Sequence, residues 1–283
     1  MSKLALIIDN LETFEARRLH EESSNVFDEV KLVNNFSDIF ITLEIEQHAK
    51  IYLEGTELNN IDVSLFKSTK HNRVAKSVLA HVLYNNNVNI VDPIERFSIG
   101  FSSKILSTIE RHKNNCTIDS YFSFSHRSTE ALSRYLIEDT KLFIKPINGS
   151  QSRGIVTINT LNELLEYSRS FSYRSNQGNI PLFIQKFIEI DVEYRMFVVN
   201  NKVIASIKKI RRNDGSISYR RMRFARLAEF VINHVSEKGV LGVDACKDIN
   251  GNFYIIEANR SPMFKALERK TGMNIALEIL RNS

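Results

Sequence analysis

The sequence predicts a mixed protein, α/β over its first ninety-odd residues and α+β, with antiparallel strands, thereafter. Three observations carry this. Up to Asp92-Pro93, short apolar runs alternate with helical patterns, the alternation of a small α/β domain. In the last hundred residues strand-length runs are joined by short turns, which favours antiparallel pairing. No Pro-, Gly- or Ser-rich linker separates the parts, so the lobes are expected to pack together.

Taken in order, residues 4–8 read as a strand, followed by a helical stretch to about Asn25 and a strand at 30–33. Runs at 39–45 and 50–53 look like strands, with Gly55 at a turn. A strand at 63–66 precedes a helix ending near Tyr84, and 88–91 closes this region. Residues 98–112 read as a helix with apolar residues at Ile99, Ile105, Leu106 and Ile109. The pattern continues with a strand at 118–124, a helix at 128–137, a strand at 141–144 running into Pro146, a strand at 155–158 and a helix at 161–171. Strands follow at 182–187, 194–199 and 203–210, then a helix at 222–235, a hairpin, and a closing helix from Asn274.

Hydrophobic residues make up 43% and charged residues 25% of the 283 residues, the composition of a soluble globular chain able to bury a large core. No repeat or low-complexity tract interrupts it. The opening apolar run is broken by Asp9, too short for a signal peptide, and no later run reaches the length of a membrane span. Cys116 and Cys246 are far apart and without metal-ligand spacing, which suggests buried thiols in a reducing, cytoplasmic setting. The net charge of +5 is uneven: 208–226 holds eight basic residues (Lys208, Lys209, Arg211, Arg212, Arg220, Arg221, Arg223, Arg226) against Asp214. Such a stretch is either a solvated face or a site for a polyanion, whether nucleotide phosphate, acidic substrate or nucleic acid.

The most informative segment is 242–259, GVDACKDINGNFYIIEAN. Asn250-Gly251 between apolar runs signals a hairpin with a two-residue turn. Ile249 would then pair with Asn252, and counting outwards sets Asp244 opposite Glu257 on one face. Asn259, two residues beyond Glu257, shares that face. Two carboxylates and an amide converging on one point suit Mg²⁺, a hard cation that takes oxygen ligands. The plainer reading is a solvated sheet edge with an accidental pairing.

These residues, with Arg260-Ser-Pro262, Leu267-Glu268 and Thr271-Gly272-Met-Asn274-Ile-Ala276, resemble the C-terminal signature of ATP-grasp enzymes. The similarity is greatest to the RimK-type carboxylate–amine ligases, which add glutamate or other amino acids to peptides and proteins. The resemblance implies an ATP-grasp fold over 96–283, divided into a central lobe (96–183) and a C-terminal lobe (184–283), behind an α/β pre-ATP-grasp domain (1–95). It implies that Asp244, Glu257 and Asn259 hold magnesium. Lys104 and Lys145, the latter before Pro146, resemble the two phosphate-contacting lysines. The segment 148–154, with Gly149, Ser150 and Gly154, resembles the loop that closes over the triphosphate. Gln185, Lys186, Phe187 and Ile188 resemble the hinge whose backbone reads adenine. Glu193 resembles the acid near the ribose, and Arg195 the arginine near phosphate, with Arg211 and Arg212 as further catalytic cations.

The resemblance thus implies ATP with two Mg²⁺ ions, or Mn²⁺ in their place. It implies a carboxylate substrate and an amine acceptor, which a peptide or protein could supply, joined through an acyl phosphate. The basic stretch makes an acidic peptide or amino acid the expected substrate, with no membrane partner and with homo-oligomers left open. A carboxylate–thiol ligase and a non-enzymatic nucleic-acid-binding protein using 208–226 are the alternatives. The chain departs from the family pattern at Ser152 and Arg153 of the loop, and at 218–224, where Ser-Tyr-Arg-Arg-Met-Arg-Phe replaces the family's acceptor residues. Acceptor identity therefore does not carry over.

Overall fold

A computed structural model describes residues 2–43, 49–58, 60–67, 72–97, 108–109, 111–112, 114, 116–136, 141–146, 154–174, 182–211, 217–222, 225–235 and 237–283. The chain forms two compact units. The first is assembled from Met1–Gly100, Tyr194–Asp244 and Ala258–Ser283, the second from Phe101–Glu193 and Ala245–Glu257.

The first hundred residues run β1 (Lys3–Ile8), α1 (Phe14–Ser23), β2 (Glu29–Val33), β3 (Ile39–Thr42), β4 (Lys50–Leu53), β5 (Thr56–Glu57), β6 (Val63–Lys67), α2 (Arg73–Asn85) and β7 (Asn89–Ile90). Parallel pairing gives the order β2-β1-β6-β7. β1 has no polar side because both its faces are covered. Leu4, Leu6 and Ile8 enter one core cluster, while Ala5 and Ile7 enter another. α1 begins where the Ala16 N–H donates to the Thr13 hydroxyl, supplying one of the free helical N–H groups with an acceptor. β3, β4 and β5 form a separate antiparallel sheet. Glu54 and Gly55 turn β4 into β5 with φ of 50° and 77°, the positive values a two-residue hairpin needs.

The second unit holds β8 (Ser120–Ser123), α3 (His126–Ser133), β9 (Leu142–Lys145), β10 (Val156–Ile158), α4 (Leu161–Arg174) and β11 (Leu182–Lys186). Its antiparallel sheet runs β10-β9-β11-β8. Leu142, Ile144, Leu182 and Ile184 point from one face into a core shared with Leu136, Ile158 and Leu164. By the two-residue period, Phe143, Lys145, Phe183 and Gln185 occupy the other face. Of the helix expected over 98–112, Thr108, Ile109, Arg111 and His112 are helical, and the rest lies outside the described residues.

The remaining elements are β12 (Ile190–Val199), β13 (Lys202–Arg211), β14 (Ile217–Arg221), α5 (Ala225–His234), β15 (Val240–Asp248), β16 (Phe253–Asn259), α6 (Lys265–Thr271) and α7 (Ile275–Arg281). The sheet order is β14-β13-β12-β15-β16. Two of these elements have no counterpart in the sequence reading. β14 lies within the basic stretch, between the strand expected to end at 210 and the helix expected from 222, because arginines obscure its period of two. Tyr219 packs against the core that contains Ile207, and the helix starts only at Ala225. α6, seven residues long, is too short to show helical periodicity. Its first N–H groups, Phe264 and Lys265, both donate to the buried Glu15 carboxylate at 3.0 Å. The closing helix starts as expected, with the Leu277 N–H donating to Asn274 Oδ1. Its Ile275 and Ile279 join Phe197, Val199 and Phe264 around Leu4, Leu6 and Ile8 of β1.

Candidate functional site

In the second unit, register builds a polar row across the sheet. Gln185 lies opposite Phe143 on β9 and Ser120 on β8, and Lys145 lies opposite Phe183. Directly opposed residues share a face, and diagonal neighbours remain within reach of long side chains. The Lys145 ammonium accordingly donates to Gln185 Oε1 at 2.5 Å, and Gln185 Nε2 donates to the Ser120 hydroxyl at 2.9 Å. Aromatic rings flank the row: Phe122 and Phe183 lie 5.1 Å apart, and Phe143 meets Phe187 edge-on at 5.3 Å. Lys141 Nζ stands 4.5 Å above the Phe187 ring.

Several expected nucleotide residues gather nearby. Burial pushes the Cys246 thiol up to about 12, with Glu193 and Asp248 raising it further and Lys145 lowering it. Lys145 and Glu193 are therefore within electrostatic range of one thiol, which a resemblance in sequence order alone did not establish. The N–H groups of Lys186 and Phe187 already donate to the carbonyls of Asp119 and Lys141. Gly154 has φ of 78°, and a Cβ there would lie 3.4 Å from Pro146 Cγ. Pro146, just after β9, and Gly154, just ahead of β10, thus lie side by side. The loop members Gly149 and Ser150, together with Lys104 and Arg212, lie outside the described residues, as does the Arg211 side chain.

In the first unit, Asp244 on β15 is clasped by two cations. Arg195 Nη1 on the neighbouring strand β12 lies 2.6 Å from Oδ2, and Lys209 Nζ on β13 lies 3.2 Å from Oδ1. Oδ1 is nevertheless buried without a well-aligned hydrogen bond, so Lys209 acts there as a charge rather than as a donor. A buried carboxylate oxygen in that condition is costly unless a further positive group reaches it. Lys209 was read only as part of a basic stretch. The signal that could have singled it out is strand period, which puts Lys209 on the face of core residue Ile207 and away from Lys208. Gly242, two residues before Asp244, belongs to the quoted motif but had no role of its own there.

The hairpin tip differs from the expected two-residue turn. The Gly251 N–H donates to the Asp248 carbonyl, and the Asp248 N–H to the Asn252 carbonyl. The loop is therefore three residues, 249–251, with Gly251 alone at positive φ, 90°. This is a turn followed by a glycine bulge. Asp248 itself fixes the choice, because Oδ1 accepts from the N–H groups of Asn250 and Asn252. The outward count that set Asp244 against Glu257 began from the wrong loop length. Glu257 and Asn259 remain two residues apart on β16. Among the described residues no three His, Cys, Asp or Glu side chains gather as a metal cluster.

The fold, with a polar row around Lys145 on one antiparallel sheet and an acid–cation centre on another, is an ATP-grasp fold. The chain belongs to the RimK-like ATP-grasp domain family, whose model matches residues 117–282. A probable alpha-L-glutamate ligase of Shewanella pealeana is 26% identical over 97% of this chain. The chain spans 61% of that relative's length. Among solved structures, the ATP-grasp ligase PsnB complexed with minimal precursor, Mg and ADP superposes with a TM-score of 0.76 at 13% identity, over 98% of this chain and 94% of that one. A RiPP-associated ATP-grasp ligase of Chryseobacterium gregarium, in complex with ADP and a leader and core peptide, gives 0.69 at 15% identity, over 99% and 96%.

Proposed function

We propose that this chain is an ATP-dependent carboxylate–amine ligase acting on an acidic peptide or amino-acid substrate. The observation that carries the reading is the buried Asp244 oxygen, unsatisfied between Arg195 and Lys209, in a member of the RimK-like family. Two carboxylates and an amide suit a hard divalent cation by their chemistry, and by the family resemblance Asp244, Glu257 and Asn259 would hold magnesium, as one or two ions, with Mn²⁺ a substitute. Magnesium bound there would neutralise charge on the ATP phosphates.

In the reaction proposed, a substrate carboxylate oxygen takes the γ-phosphoryl group and ADP leaves. The amine nitrogen then bonds to the acyl carbon, losing a proton as inorganic phosphate departs. Lys145 would contact the phosphates, and Arg195, held by Asp244, would present its remaining N–H groups to charge developing in transfer. Arg211 and Arg212 would extend that cationic field. Gly149, Ser150 and Gly154, with Lys104, would line the phosphates. The carbonyls of Lys186 and Phe187 and the backbone of Ile188 would face adenine, with Glu193 at the ribose. No side chain is required as a nucleophile.

The acidic substrate is supported by β13 and β14. Lys208 lies directly opposite Arg220, a like-charge pair that destabilises a sheet unless an anion lies between. The chain also resembles a ligase solved with a leader and core peptide, which favours a peptide. The experiment is ADP release against a panel of acids and amines, with mass spectrometry of the products. An amide-linked mass that requires both components and Mg²⁺ supports the reading. A thioester mass would replace amine by thiol, and absence of ADP release across the panel would remove the activity.

A further inference from the structure

The Gln185 side chain is nearly sealed from solvent, at 3% exposure, and both ends of its amide are engaged. The Ser120 hydroxyl donates its only proton to the Ile118 carbonyl at 2.7 Å. Its oxygen can therefore only accept, and what it accepts is the Gln185 NH₂ group. This fixes which end of the amide faces Lys145. Reversing the amide would set an NH₂ donor against an ammonium, which has no acceptor. The direction of the chain of bonds is thus determined from both ends: ammonium to Gln185 oxygen, Gln185 nitrogen to Ser120, Ser120 to backbone. Its backbone anchor lies just ahead of β8, a strand hydrogen-bonded to β11, so the row's far end cannot drift.

We infer that Ser120 and Gln185 act as a one-way positioning relay that sets the Lys145 ammonium. The neutral acceptor matters. A carboxylate in place of Gln185 would hold the lysine and offset its charge, whereas an amide aims it and adds no negative charge. Gln185 is in this account a positioning residue rather than a reader of the nucleotide. The inference rests on the proposed function for its catalytic consequence, because that is what gives Lys145 an anion to meet.

The test uses the intact chain labelled with ¹⁵N-lysine. The Lys145 Nζ resonance is identified by its loss in Lys145→Ala. Without nucleotide, Gln185→Leu and Ser120→Ala are both expected to shift that resonance. In turnover, Gln185→Leu is expected to raise the ATP KM about tenfold with the acceptor KM unchanged, and Ser120→Ala about threefold. The double variant is expected to be no worse than Gln185→Leu alone, because members of one relay are not additive. An unmoved resonance in both variants, or fully additive KM effects, overturns the relay. If Gln185→Leu does not fold, Ser120→Ala decides by the same resonance. Should Lys145→Ala leave the ATP KM unchanged, the phosphate role under the proposed function fails, while the resonance still decides the relay.

Discussion

The guanidinium of Arg195 rests against Gly242 so closely that a Cβ on that glycine would lie 2.5 Å from Nη2. The same Cβ would meet Pro262 Cβ at 2.7 Å, and a proline ring has little room to yield. Gly242→Ala is therefore expected to push Arg195 off Asp244. It should cost about 1–3 kcal/mol of stability by overpacking and lower kcat/KM for ATP. Urea denaturation beside steady-state kinetics checks both, and unchanged kinetics would show that Arg195 need not contact Asp244.

Asp244→Asn keeps the shape of that centre but removes the charge between two cations. Turnover should fall by about two orders of magnitude, as for loss of a preorganised electrostatic contact. The fall should resist added Mg²⁺. Restoration by high Mg²⁺ would mean that the carboxylate only raises metal affinity.

Arg220 and Arg221 are both exposed on β14, and Arg220 faces Lys208. Changing both arginines to Gln should raise the acceptor KM several-fold and leave the ATP KM nearly unchanged. The difference from wild type should shrink as salt rises, since exposed charges are screened beyond about 8 Å at physiological ionic strength. Loss of ATP binding instead would assign the stretch to the nucleotide.

Glu15 joins α1 to the start of α6 through two N–H donors. Glu15→Ala would strand both, one of them in a buried contact, and should destabilise the protein by about 3 kcal/mol. Glu15→Gln keeps an acceptor and should lose less, and denaturant midpoints compare the two.

The Cys246 thiol, raised to about 12 by burial from an ordinary 9.0, should resist thiol reagents at pH 8 until the chain unfolds. Because the thiolate forms more readily in the unfolded chain, unfolded molecules bind fewer protons above pH 9, and stability falls as pH rises from there towards 12. Replacing Cys246 with Ala should flatten that decline, as read from unfolding midpoints between pH 8 and 11.

The order of elements was legible because apolar runs such as 4–8 and 253–256 need no tertiary context to read as strands. The family was legible because its motifs keep their order. Turn geometry was not. Asn250-Gly251 carries the strongest hairpin signal, yet Asp248 pulls the turn into a bulge, whereas Asn200-Asn201, which drew no notice, makes the two-residue turn with φ of 44° and 65°. A side chain outside the turn decided one case, and strand pairing the other. The centre at Asp244 was half visible. The acid was singled out by motif, whereas Lys209 stands out only by strand period, and the role of Gly242 comes from the closeness of Arg195 across the sheet. Gln185 was placed correctly on its strand, while its bond to Lys145 depends on register.

β1 buries one row of side chains against residues as distant in sequence as Ile279 and Leu280. Ala16 and Leu19 of α1 lie against that row too, but its cover is complete only when residues far apart in the sequence have met. Folding of the first unit should accordingly be slow, limited by bringing together its three segments, which lie far apart in sequence.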